Sequence, residues 1–117
     1  MKEITPQEAK SLVDRLGPHI KYDWTYDAEF PTGRTDVCVV RRLAENGRDY
    51  GFDTLYLLWK TQESLKYESL EDSRSTQDYI HIDQIVEDGK DIVIKLWSSS
   101  NKVEREYRRN KEKLGLE

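Results

Sequence analysis

His81 and Asp83 stand two residues apart in Ile80-His81-Ile82-Asp83. If that run is a strand, both side chains leave the same face. An aspartate beside a histidine can orient the ring as a general base, and the pair can offer two ligands to a metal. Tyr79 precedes them, and Trp97 lies on the strand that would pair with theirs. A zinc site would need His19, the one other histidine, to converge with His81 and a carboxylate. The same residue types are ordinary on a solvated strand face, so chemistry and plain solvation both stay open.

Tyr22, Trp24 and Tyr26 make a second constellation, alternating with Asp23, Thr25 and Asp27. Such a one-sided aromatic stripe can stack sugars or bases. Proteins that bind single strands flank their aromatics with Lys and Arg, whereas here two flanking residues are acids. Packing beneath a helix is the favoured reading. The candidate ligand-binding residues are therefore Tyr22, Trp24, Tyr26, Tyr79, His81, Asp83 and Trp97. No catalytic residue, metal ligand or cofactor is assigned. The chain has no nucleophile elbow, Walker loop, dinucleotide fingerprint or HExxH. Gly33 and Arg34 precede a strand rather than a helix, so Phe30–Asp36 reads as a turn and not a phosphate cradle. Arg74 sits in a polar surface loop.

The elements that must position these residues can be read from spacing. Ile80 and Ile82, then Glu87-Asp88-Gly89, then Ile92, Ile94 and Leu96 spell a β-hairpin. A three-residue loop at Glu87-Asp88-Gly89 pairs Ile82 with Ile94 and Ile80 with Leu96, which gathers the apolar residues on one face. That register sends Tyr79, His81 and Asp83 to the opposite face, together with Ile85, Val93 and Trp97. Glu45–Asp49 resembles the hairpin turn in composition and is read as a shared turn solution.

Thr5 has N-cap chemistry, Pro6 suits the first helical position and Glu8 completes a capping box. Ala9, Leu12, Val13 and Leu16 recur at helical spacing, and Gly17-Pro18 ends the element. A strand over 19–27 follows. Asp36–Leu43 and Thr54–Trp59 are apolar at successive positions, as strands covered on both faces would be. Glu63–Leu70 alternates. Lys102–Leu114 reads either as a helix capped by Asn101 and ended by Gly115 or as an edge strand; its charge-rich composition favours helix.

These elements give an α+β fold: an N-terminal amphipathic helix on a curved antiparallel meander of about six strands, with a partly closed barrel as a variant. Residues 1–117 form one domain whose last few residues are expected as a flexible tail. Leu, Ile, Val and Phe are 27 of 117 residues, above the roughly 20% below which chains fail to collapse. One cysteine, Cys38, excludes an intramolecular disulfide, and its Val37–Val40 setting marks it as core. No apolar run approaches a membrane span and no signal peptide opens the chain, so a cytoplasmic protein is expected.

The net charge of −4 gives no case for nucleic acid or an anionic membrane. Glu63–Asp91 carries nine acids against three bases, and Lys95–Glu117 seven bases against four acids. The bases near Arg105–Lys113 are interspersed with acids, as on a salt-bridged surface. The expected function is a small non-catalytic binding protein whose Glu63–Asp91 surface docks on a basic protein partner. The alternatives are a ligand or enzyme pocket lined by Tyr22, Trp24, Tyr26 and His81, and a homodimer that covers an apolar sheet face.

Overall fold

The computed structural model describes residues 3–16, 24–44, 54–62, 64–72, 80–98 and 102–116, with backbone alone at 24–26, 43–44, 71–72 and 80. In chain order the elements are α1 (Pro6–Leu16), β1 (Trp24–Glu29), β2 (Val37–Ala44), β3 (Thr54–Lys60), β4 (Leu65–Asp72), β5 (Ile80–Asp88), β6 (Asp91–Ser98), β7 (Val103–Asn110) and α2 (Lys111–Leu114).

The helix starts as its residue types require. Thr5 Oγ1 accepts from the Glu8 amide at 3.2 Å, and Glu8 Oε1 accepts from the Thr5 amide at 3.2 Å, a reciprocal capping box. Ile4 and Ala9 flank it inside one apolar cluster, as a staple across the first turn. Lys60 at the end of β3 donates to Glu8 at 2.7 and 3.0 Å and to the Glu3 carbonyl at 3.2 Å. The helix end at Gly17-Pro18 lies outside the described residues.

The strands form two antiparallel sheets, β1-β2-β3-β4 and β5-β6-β7. The α+β class therefore holds, but the expected single meander of about six strands is corrected to seven strands in two sheets among the described residues. Neither sheet closes into a barrel. The reason lies in β2 and β3, whose alternate residues feed two separate cores. Val37, Val39, Leu55, Leu57 and Trp59 face the second sheet and meet Ile92, Ile94 and Leu96. Cys38, Val40, Tyr56 and Leu58 face the other way and meet Ala9, Leu12 and Val13 of α1. Both faces of the central strands are covered, one by a helix and one by a sheet. Each fully buried Leu or Ile in these layers contributes about 1.5–3 kcal/mol relative to exposure.

Two bulges let apolar residues reach the inter-sheet core. Pairing shifts by one residue at Leu55/Tyr56 against β4, where Leu70 is buried in the core. It shifts again at Ile82/Gln84 against β6, so that Ile82 faces Leu96 and Ile85 faces Ile94. This overturns the expected register. Asp88 pairs with Asp91, so the loop is the two residues Gly89-Lys90. Gly89 takes φ +58 while Lys90 keeps a negative φ, the pattern of a type II′ turn. Both Ile82 and Ile85 reach the core because Asp83 is the extra residue between them; Ile85 does not join the outer face.

The third correction concerns the C-terminus. Lys102–Leu114 is mostly strand, β7, because its alternation carries Arg105, Tyr107 and Arg109 opposite Leu96, Ile94 and Ile92. Only Lys111–Leu114 is helical. Asn110 caps it, accepting from the Lys113 amide at 3.2 Å, and Gly115 ends it at φ +80. Leu116, expected in a loose tail, is buried in the inter-sheet core.

Candidate functional site

Sheet β5-β6-β7 turns one face to the core and the other away from it. Ile92, Ile94 and Leu96 point inward, so Asp91, Val93, Lys95 and Trp97 on the same strand point outward. No described element packs over that outer face. Pairing arranges it in cross-strand rows: His81, Trp97 and Glu104; Gln84, Lys95 and Glu106; Val86, Val93 and Arg108; Asp88, Asp91 and Asn110. Side chains directly opposite one another in such a row have Cβ atoms about 5 Å apart.

The face has two chemically different ends. At the turn end Arg108 is saturated by acids. Its Nη1 lies 3.1 Å from Asp88 and 3.4 Å from Asp91, and its Nε lies 3.1 Å from Glu106. Val93 is buried between its direct partners Val86 and Arg108. At the other end Trp97 is 38% exposed on the central strand, flanked by His81 on β5 and Glu104 on β7. His81, Glu104 and Asp83 are exposed, and among the described residues none of them forms an ion pair. The indole is thus partly accessible on the middle strand of the sheet, directly opposite a carboxylate that forms no ion pair among the described residues.

Of the nine acids in the acidic stretch seen in the sequence, four are answered by bases among the described residues. Glu68 is held by Arg109, Glu87 by Lys111 at 3.1 Å and by Arg34 at 3.5 Å, and Asp88 and Asp91 by Arg108. The basic C-terminal segment thus folds back on the acids as β7 and α2. Among the described residues Asp83 forms no ion pair, and neither does Glu104, which lies outside the acidic stretch. Sequence reasoning missed Glu104 because it was counted among salt-bridged residues of a helix; only strand pairing sets it opposite Trp97.

The remaining candidates are dispersed. Trp24 and Tyr26 lie on β1, the edge strand of the first sheet, where their backbones pair with Ala44 and Arg42. His81 is on β5 of the other sheet, so these candidates are not brought together in one sheet. Tyr22, Tyr79 and His19 lie outside the described residues. Arg41 and Arg42 make no basic patch, since Arg41 pairs with Asp27 at 3.2 Å on the inter-sheet side and Arg42 is buried on the helix side. Arg34 is gripped by Asp36 at 2.9 and 2.7 Å, and its loop is a turn closed by Arg34 N donating to the Pro31 carbonyl.

A groove of about 430 Å³ is lined by Gly89, Lys90, Lys111, Glu112 and Leu116, none of them a candidate from the sequence. Among the described residues no cluster of His, Cys, Asp and Glu is arranged to hold a metal, and no helix is long and apolar enough to cross a membrane. Burial pushes the Cys38 thiol up to about 12, which keeps it protonated and unreactive. No family model, curated protein or solved structure matches this chain.

Proposed function

We propose that this protein is a non-catalytic binding module that engages a basic protein partner through the outer face of β5-β6-β7. The observation that carries the reading is Trp97, exposed on the central strand directly opposite Glu104, with Asp83 exposed on the neighbouring strand; among the described residues neither carboxylate forms an ion pair. Exposed tryptophan is a typical interface anchor, and uncompensated carboxylates around it favour a positively charged partner in encounter and in register. The docking surface is thus moved from the contiguous acidic stretch to a face assembled from three strands. Charge also argues against a second copy of the chain as the occupant. Two such faces would set Asp83, Asp88, Asp91, Glu104 and Glu106 of one copy against the same residues of the other, with only Lys95 and Arg108 in compensation.

The test is a titration of isotope-labelled protein with a synthetic nonapeptide of alternating lysine and glycine, and with its glutamate counterpart. The lysine peptide should shift resonances of Trp97, Glu104 and His81, and the effect should weaken as salt shortens the Debye length from about 30 Å at 0.01 M to about 8 Å at 0.15 M. Shifts confined to another surface, or equal shifts with the acidic peptide, would sink the proposal.

A further inference from the structure

We infer that the anchor on the partner is an arginine, its guanidinium stacked on the Trp97 ring and paired with the Glu104 carboxylate. This deepens the docking reading and rests on it. The geometry comes from one cross-strand row. Trp97 sits between His81 and Glu104 in direct register, so Glu104 is anchored about 5 Å from the base of the indole. A carboxylate at the rim of an aromatic ring can meet the edge of a group lying on that ring.

Guanidinium suits both demands at once. It is planar and weakly hydrated, so it stacks on an aromatic face while its N–H groups point outward in the ring plane toward a carboxylate. An ammonium is a compact, strongly hydrated charge with no plane to stack, so it cannot satisfy ring and carboxylate in the same way. The neighbours set the direction of approach. Lys95 lies two residues from Trp97 on the same face and repels a cation from that side. Glu106 is already held by Arg108. Glu104, directly opposite Trp97, forms no ion pair among the described residues, so its carboxylate is the one in the row left to meet a cation. The row recognises one arginine side chain; it does not specify the sequence around it.

The experiment compares two nonapeptides that differ only in carrying arginine or lysine at the alternate positions, each titrated into the intact chain and followed at the Trp97 indole N–H. The arginine peptide should bind more tightly by roughly threefold to tenfold, the range expected for an exposed stack plus an oriented carboxylate. Glu104→Gln, a surface change on an edge strand, should bring that ratio close to one. Trp97→Phe should lower it only in part, because a smaller ring remains, while Trp97→Leu should abolish it. Equal affinity of the two peptides for the wild-type face would overturn the arginine anchor and leave the docking reading standing. If neither peptide perturbs the face, both fall. A preference for arginine that survives in both Glu104→Gln and Trp97→Leu would place the recognition elsewhere.

Discussion

Glu68 on β4 and Arg109 on β7 join the two sheets along one edge. Arg109 Nε lies 3.1 and 2.9 Å from the two carboxylate oxygens, and its second nitrogen reaches Oε1 as well. The same guanidinium lies 5.7 Å from the centre of the Tyr107 ring. Hydrogen bonds from Arg109 hold the Glu68 carboxyl below its ordinary value of 4.5, against the opposing effect of burial. Its folded pKa is therefore the lower one. The stabilisation is complete above the unfolded value and is lost as pH falls through the folded one. Because both side chains are about one-third exposed, Glu68→Gln should cost no more than about 1 kcal/mol at neutral pH. It should also flatten the acid limb of stability below about pH 4.5. Urea denaturation at neutral and acidic pH measures both, and an acid limb unchanged by the substitution would contradict this account. Glu8, lowered chiefly by Lys60, leaves a residual slope.

Cys38 reports on global opening. Its side chain is fully buried between β2 and α1, and a thiol raised to about 12 offers almost no thiolate at mildly alkaline pH. Alkylation of the native protein should be slow and should become fast in denaturant. Leu58→Ala, in the same cluster, should cost about 2–5 kcal/mol and raise the labelling rate in step. Rapid labelling of the unmutated protein would show that the helix does not cover the sheet.

Gly115 closes the C-terminal end. Its amide donates to the Glu112 carbonyl at 3.0 Å and the next amide to the Lys111 carbonyl at 2.8 Å, the paired bonds of a Schellman turn. At φ +80 a side chain is strained, and a Cβ would meet Thr61 Cγ2 at 3.3 Å. Gly115→Ala should cost at least about 1 kcal/mol and loosen Leu116 from the core. Gly89→Ala carries the turn strain without a contact, so it should be the milder of the two by thermal unfolding.

Deletion of Asp83 should be tolerated. Ile82 already faces Leu96, and Gln84 faces the next residue, Lys95. Removing the extra residue therefore leaves every inward side chain in place. What changes is the edge, which becomes a regular strand able to pair with another chain. The expected outcome is a stability within about 1 kcal/mol of the parent and concentration-dependent association on size exclusion. Collapse of the fold would show that the bulge is required for folding.

Where the sequence was legible, the interactions were local. Thr5, Glu8 and Ala9 form their cap within one helical turn, and residue type with spacing was enough to place it. The successive apolar positions in 36–43 and 54–59 likewise announced strands covered on both faces. The chemistry of the candidate face was half legible: His81 and Trp97 were placed opposite the core, but Glu104 was not joined to them. A wrong hairpin register still put His81 and Trp97 outward, because alternation preserves faces even when the partner is misassigned. It put Ile85 outward too, because no spacing rule reveals a bulge.

By itself, the sequence determined one capped helix, two strands with apolar residues on both sides and a hairpin with His81 and Trp97 on the face away from Ile92, Ile94 and Leu96. Alternation and capping depend on neighbours a few residues apart, so they are written in the chain directly. What covers each face was decided only in the tertiary structure. Glu68 and Arg109 meet across 41 positions, and β7 is a strand because β6 offers it an edge and an apolar row to pack beside. The same long-range pairing neutralises Glu68, Glu87, Asp88 and Asp91 and leaves Trp97 exposed between His81 and Glu104. Charge counted along the chain cannot show which carboxylates stay uncompensated, because ion pairing is settled by which strands lie side by side.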